Sequence, residues 1–190
     1  EAQSGDGAHA GMVALDEAGI YYYKDPPEGT MKRESTYENG NLDFVAYFDI
    51  NTMVLNGPFI QYYENGNKKY QGYRKEGKRH GPYKTWAENG TLLTSTAYKE
   101  EKMHGPYKEW DAAGNLIHVG RYNEGTKVGE WVEYAYTKEA GQVIFNKGSY
   151  DENGSKHGEW LTRGYFGGVT PWVTRIIYDH GEKVSSEKIE

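Results

Sequence analysis

The chain is 190 residues long, the length of one domain or one uninterrupted repeat array. Only 36% of it is hydrophobic, concentrated in 18 Tyr, 5 Trp and 5 Phe, which leaves too little Leu, Ile and Val for a large two-layer core and suits short strands instead. A formal net charge of -6 argues against a dedicated nucleic-acid binder, and the absence of cysteine excludes disulfides and thiolate metal sites.

Residues 1–10 are small and polar and read as a flexible tether. They predict an exported protein, periplasmic or at the cell surface, with peripheral membrane association through a removed leader or a lipid anchor; the alternative is a cytoplasmic chain. Residues 11–56 hold degenerate copies of a repeat. There Glu17-Ala18-Gly19 precedes Ile20-Tyr21-Tyr22-Tyr23, and Tyr37-Glu38-Asn39-Gly40 leads into the apolar stretch 42–47.

Residues 57–128 hold three regular copies. Units open at Gly57-Pro58-Phe59, Gly81-Pro82-Tyr83, Gly105-Pro106-Tyr107 and then Gly129-Glu130-Trp131, each 24 residues after the one before. Inside them a glycine stands at 66, 90 and 114, after Glu64-Asn65, Glu88-Asn89 and Ala112-Ala113. A second turn signal closes the unit, as in Lys75-Glu76-Gly77 and Asn123-Glu124-Gly125, with Glu101 in place of that glycine in the middle unit. His80, His104, Val128 and His157 each precede a unit. Residues 129–181 hold two longer copies. The first turns at Ala140-Gly141 and closes at Glu152-Asn153-Gly154; the second opens at Gly158-Glu159-Trp160, turns at Gly167-Gly168 and ends at Asp179-His180-Gly181. Residues 182–190 read as a charged tail.

Asn-Gly between two strand-like runs signals a hairpin, with a type I′ turn expected because Asn and Gly tolerate positive φ. In the second regular unit the strands are expected over 83–86 and 92–98, with Pro82 at the strand entrance, where a missing N–H costs no ladder bond. No helical stripe is visible. Five or six units predict an all-β chain of about ten to twelve strands in one antiparallel meander, since each unit supplies two. An elongated open sheet is expected; a closed barrel is the alternative, needing matched strand number and stagger. Unit position three holds Phe59, Tyr83, Tyr107, Trp131 and Trp160; position six holds Tyr62, Trp86, Trp110, Tyr134 and Arg163. In a regular strand these point to opposite faces, so each face would carry an aromatic row unless a bulge flips one.

The unit Gly-Pro-Tyr-Lys-x-Trp-x-Glu-Asn-Gly-x-Leu, with Tyr-Lys-Glu and a closing His, resembles the bacterial variant of the MORN repeat. The resemblance is best from Gly57 to about Gly129 and weaker on both sides. It implies an elongated array of antiparallel β-hairpins, a role in protein scaffolding or, less directly, phosphoinositide binding, and in many bacterial members an antitoxin-like label. It implies no catalytic residue. Arg74, where the next two units have Tyr98 and Tyr122, Glu101 and the long fourth unit depart from the pattern.

The candidate binding residues are of two kinds. The aromatics Tyr62, Trp86, Trp110 and Tyr134 could receive a peptide or glycan by stacking, or could simply hold the sheet together. The basic run Lys68, Lys69, Arg74, Lys75, Lys78 and Arg79 could dock an anionic headgroup or acidic protein face, or serve as a solvated charge run that protects the sheet. His80 and His104 lie two strands apart, roughly 9–10 Å, too far to share a metal ion, and are expected to flank turns; no metal, cofactor or catalytic residue is expected. The functional expectation is a non-enzymatic interaction or scaffolding module that takes a protein partner, as an accessory component of a bacterial envelope assembly. The alternatives are a cytoplasmic antitoxin-like protein and an anionic-lipid or glycan binder.

Overall fold

The computed structural model describes residues 12–13, 22–23, 25–138, 141–164 and 172–189. The tether 1–10 and the Gly167-Gly168 turn lie outside them, as does Ala140. Strand makes up 70% of the described residues, and no helix occurs among them. Met12–Val13 (β1) and Tyr22–Tyr23 (β2) pair with each other as a separate two-stranded sheet. All other strands share one sheet: Thr30–Thr36 (β3), Leu42–Asp49 (β4), Leu55–Tyr62 (β5), Lys68–Lys75 (β6), Lys78–Arg79 (β7), Gly81–Trp86 (β8), Leu92–Lys99 (β9), Lys102–Met103 (β10), Gly105–Trp110 (β11), Leu116–Asn123 (β12), Thr126–Thr137 (β13), Gly141–Tyr150 (β14), Lys156–Gly164 (β15), Trp172–Asp179 (β16) and Glu182–Lys188 (β17).

Spatial order follows chain order from β3 to β17, every pairing is antiparallel, and among the described residues β3 and β17 are the two end strands of an open sheet. The short β7 and β10 are the entrances of β8 and β11, so the sheet has thirteen main rows, slightly more than ten to twelve. The extra row is β17. It occupies the stretch whose composition predicts a charged tail, because an edge strand exposed on both faces needs no apolar alternation; all seven of its residues are exposed.

The first turn of the regular units differs from the type I′ geometry expected at Asn-Gly. At Glu64-Asn65-Gly66, only Gly66 has positive φ (87°). The Tyr63 N–H donates to the Asn67 carbonyl at 2.7 Å, and the Gly66 N–H to the Tyr63 carbonyl at 2.9 Å, which makes a three-residue loop: a type I turn ended by a left-handed glycine. Asn65 favours this form because its Oδ1 accepts the Asn67 N–H at 2.9 Å, an Asx contact that leaves its own backbone right-handed. Its Nδ2 donates to the Glu88 carbonyl of the next unit at 2.8 Å. Type I′ geometry appears instead at the closing turns: Glu76-Gly77 (φ 50° and 83°), Glu100-Glu101 (49° and 71°), Glu124-Gly125 (47° and 92°) and His180-Gly181 (43° and 92°).

The opening Gly-Pro bends the ladder. Tyr70 pairs with Thr85 and Arg74 with Arg79, so four steps along β6 face six along β7–β8. The surplus is absorbed around Gly81 (φ 77°), and the same surplus recurs around Gly105 between Ser95↔Lys108 and Lys99↔Lys102. Pro82 sits inside this bulge, where its missing N–H removes no ladder bond.

A second bulge precedes position six in the four units that open at Gly57, Gly81, Gly105 and Gly129, for example between Gln61↔Tyr70 and Tyr62↔Lys68, where β6 supplies the extra residue; the unit that opens at Gly158 pairs through Arg163 without one. Position six keeps its alternation with position three. Lys68 hydrogen-bonds Gln71 and lies over the Trp86 ring, and Gln71 adjoins Gly72, which contacts the position-three rings Phe59 and Tyr83. Position three thus lines one face and position six the other.

The packing is concentrated on the position-three face. Ring pairs run Phe59–Tyr83 (5.9 Å), Tyr83–Tyr98 (5.3 Å), Tyr107–Tyr122 (5.3 Å), Tyr122–Trp131 (5.1 Å), Trp131–Tyr150 (6.2 Å), Tyr150–Trp160 (5.1 Å) and Trp160–Tyr178 (6.3 Å). Trp131 and Trp160 are only 3% exposed. They reach that burial in a single layer by lying across backbone. A Cβ on Gly120 would stand 2.2 Å from the Trp131 ring, and one on Gly148 2.2 Å from the Trp160 ring. The indole N–H groups then donate to the Arg121 and Ser149 carbonyls at 3.2 and 3.1 Å.

Candidate binding surfaces

The position-three face is covered by its own cations. Lys127 Nζ lies 4.1 Å from the Trp131 ring centre and Lys156 Nζ 4.2 Å from that of Trp160. Arg79 stacks on Tyr98 at 4.2 Å and Arg74 on Phe59 at 5.2 Å. With its rings roofed in this way, the face is a closed packing surface.

The opposite face carries one such contact on its position-six rings among the described residues, Lys68 over Trp86 at 5.6 Å. Tyr62, Trp86, Trp110 and Tyr134 are half-buried along it. Tyr134 pairs across the strands with Ile144, which is 45% exposed, and beside it Phe145 is 38% exposed. Phe145 is the extra residue of the β14 bulge, since Glu133↔Asn146 is followed by Tyr134↔Ile144. A bulge re-aims a side chain, which accounts for two adjacent apolar residues both reaching solvent. With Leu161 and Val173 they line a shallow cavity of about 140 Å³, bounded by Lys147 and Arg163. The 24-residue period picks out Tyr134 and Arg163 but not their apolar neighbours, which fall in the long fourth and fifth units where that register is lost.

The basic run is largely held by the protein itself. Arg74 and Arg79 both reach Glu101, at 2.9 and 2.7 Å, and Glu101 also accepts the Arg79 backbone N–H. Lys78 meets Glu100 at 3.2 Å. Arg74 and Glu101, the two departures from the repeat, therefore meet: the carboxylate that replaces a turn glycine binds the guanidinium that replaces a tyrosine. Burial pushes the Glu101 pKa up, but the N–H and guanidinium of Arg79 and the charge of Arg74 outweigh it and hold the carboxyl below its usual range. Lys68 and Lys75 remain exposed, while Lys69 lies over Tyr63 at 5.4 Å and Tyr70 at 5.5 Å.

Two smaller groups complete the polar inventory. Glu109 Oε2 accepts the Tyr107 hydroxyl at 2.9 Å and sits 2.9 Å from His118 Nδ1. Burial, then the Glu109 carboxylate, raises the Tyr107 pKa, so the phenol stays protonated and the group stitches β11 to β12. His80 Nδ1 lies 3.5 Å from Glu100, and His104 Nδ1 accepts the Glu124 N–H at 3.4 Å, so both histidines flank the closing turn of the following hairpin.

No protein-family model matches the chain, and no curated protein matches it either.

Proposed function

We propose that the chain is a non-catalytic interaction module that docks a protein partner on the position-six face of its open sheet. The apolar cluster of Ile144 and Phe145, with Leu161 and Val173 at the cavity floor, carries this reading. An apolar group surrounded by Lys147, Arg163 and the half-buried Tyr134 has the make-up of an interface centre with a polar rim. The position-three face supports the reading by contrast, since its rings are already covered. The setting we propose is an accessory or scaffolding role in a bacterial envelope assembly, which rests on the repeat resemblance.

The test is affinity capture from native envelope with the wild-type chain beside Ile144→Glu/Phe145→Glu. Both side chains are exposed, so the variant should keep its strand spectrum. A specific protein recovered by wild type and lost from the variant supports the proposal. Recovery of no partner, or equal recovery by both chains, counts against it.

A further inference from the structure

The last hairpin departs from the others at one point. In the regular units the histidine before the opening strand faces the first residue of the following closing turn, and that residue is a glutamate: His80 with Glu100, His104 with Glu124. At the corresponding place His157 faces His180, with ring centres 4.9 Å apart and planes at 34°. The preceding residue, Asp179, brings a carboxylate between them. Its Oδ1 lies 3.6 Å from His157 Nδ1 and 3.7 Å from His180 Nε2. The donor atoms of all three residues fall within 4.8 Å of one another, at the exposed rim of the sheet.

The second imidazole is also oriented from behind. His180 Nδ1 is 2.8 Å from Asp151 Oδ2, in the turn between β14 and β15. Asp151 is itself fixed, because its Oδ1 accepts the Asn153 and Ser155 N–H groups at 3.0 and 2.9 Å, and its side chain is only 11% exposed. With Nδ1 donating to Asp151, the Nε2 lone pair points toward Asp179 and His157. This is the carboxylate–histidine support that metal-ligating imidazoles use to fix tautomer and direction. Tetrahedral zinc, with bonds of about 2.0–2.1 Å, sets its ligand atoms about 3.3–3.5 Å apart. The spacings of 3.6 and 3.7 Å need a contraction of a few tenths of an ångström, and the donor nitrogens of His157 and His180, which lie within 4.8 Å of each other, must close by up to about 1.4 Å through rotation of two exposed side chains.

We propose that His157, Asp179 and His180 form a binding site for a divalent transition-metal ion of the zinc class, with Asp151 as the positioning residue behind His180. Two imidazoles and one carboxylate suit zinc, cobalt or nickel, and suit calcium and magnesium poorly, since those prefer all-oxygen shells. Three protein ligands leave a position for water. The ion would tie the entrance of β15 to the β16–β17 turn, pinning the exposed edge hairpin.

The test is calorimetric titration of the untagged full chain with zinc chloride, repeated on His157→Gln, His180→Gln, Asp151→Asn and, as controls, His104→Gln and His9→Gln. Expected are one zinc per chain, a loss of tenfold or more in affinity for each of the first two variants, about tenfold for Asp151→Asn, and no change for the controls. All of these side chains except those of His104 and His9 lie in the exposed last hairpins, and far-UV circular dichroism reports whether each variant keeps its sheet. Side-chain nitrogen NMR of the wild type gives a readout independent of variants: zinc should shift His157 and His180 Nε2 or Nδ1 and leave His118 unmoved. Absence of binding, binding unaffected by His180→Gln, binding abolished by His9→Gln, or zinc shifts confined to other histidines would each overturn the proposal.

Discussion

Replacing Gly120 with alanine should be among the most damaging single-methyl changes in this protein. Gly120 lies mid-strand in β12, where alanine is ordinarily the better residue by about 0.5–1 kcal/mol. Here the added Cβ would stand 2.2, 2.3 and 2.7 Å from three atoms of the Trp131 ring. Restoring an ordinary contact of 3.4 Å to the nearest atom needs a displacement of 3.4 − 2.2 = 1.2 Å. The ring has little room to move, being packed against Tyr107 at 5.7 Å, Tyr122 at 5.1 Å and Tyr150 at 6.2 Å and tied to the Arg121 carbonyl at 3.2 Å. Overpacking costs about 1–3 kcal/mol, and each disturbed ring pair about 0.5–1.5 kcal/mol, so a total near 3 kcal/mol is expected. In a urea melt followed by far-UV circular dichroism, with a slope of about 2 kcal/mol/M, the midpoint should fall by about 1.5 M. In a Trp131→Leu background the same Gly120→Ala change should be neutral or slightly stabilising. A drop below about 0.3 M in the wild-type background, or an equal drop in both, would refute the idea that the indole is seated on bare backbone.

Three further outcomes follow from the same contacts. Asn65→Ala removes both the Asx contact to Asn67 and the clip to Glu88, and should cost about 1 kcal/mol in the same melt, whereas Glu64→Ala should cost almost nothing. Arg74→Tyr and Glu101→Gly should each destabilise alone, yet the double variant, which restores the pattern of the neighbouring units, should recover most of the loss; strictly additive losses in thermal melting would contradict the coupling. The Glu101 carboxyl has a folded pKa below its ordinary 4.5, so its contribution is complete above that value and is lost as pH falls through the lower folded value. Stability measured from pH 6 to pH 3 should therefore fall less steeply for Glu101→Gln than for wild type, starting from a lower plateau.

Much of the architecture is legible in the residue pattern, because hairpin arrays bury only what their neighbours bury. Gly, Pro, aromatic and Asn-Gly positions recur every 24 residues, and the strands fall where that recurrence puts them: 83–86 within β8 and 92–98 within β9. The turn types were not legible in this way. Asn-Gly is compatible with either a two-residue or a three-residue loop, and the turn at Ala112-Ala113-Gly114 takes the same three-residue form without the asparagine, so the dipeptide alone does not decide it. The facing of positions three and six needed the location of the bulge, which follows from pairing rather than composition. Gly72 and Gly120 each stand thirteen residues after a position-three aromatic, so the seat for the next unit's ring was available in the repeat, although nothing in a single unit says what it is for.

The candidate surfaces were less legible, for a physical reason. Repetition highlights positions that serve the array, and these are the positions the sheet uses for its own packing. Arg74 and Arg79 resemble docking cations until Glu101 is placed between them by a turn 22 to 27 residues away. Ile144 and Phe145 sit where the repeat is irregular, so no period points to them, and although the period places His157 before its unit, it does not say that Asp179 and His180 meet it there.

The product of this sequence is an open single-layer sheet with its two end strands far apart. The chain has no cysteine, so spin labels can be placed at Glu34→Cys in β3 and Ser185→Cys in β17 without background. Twelve strand-to-strand steps of about 4.8 Å separate these edges. A pulsed electron-resonance distance centred near 50 Å, reduced from about 58 Å by sheet twist, is the predicted result; a dominant distance below about 20 Å would mean that the edges meet.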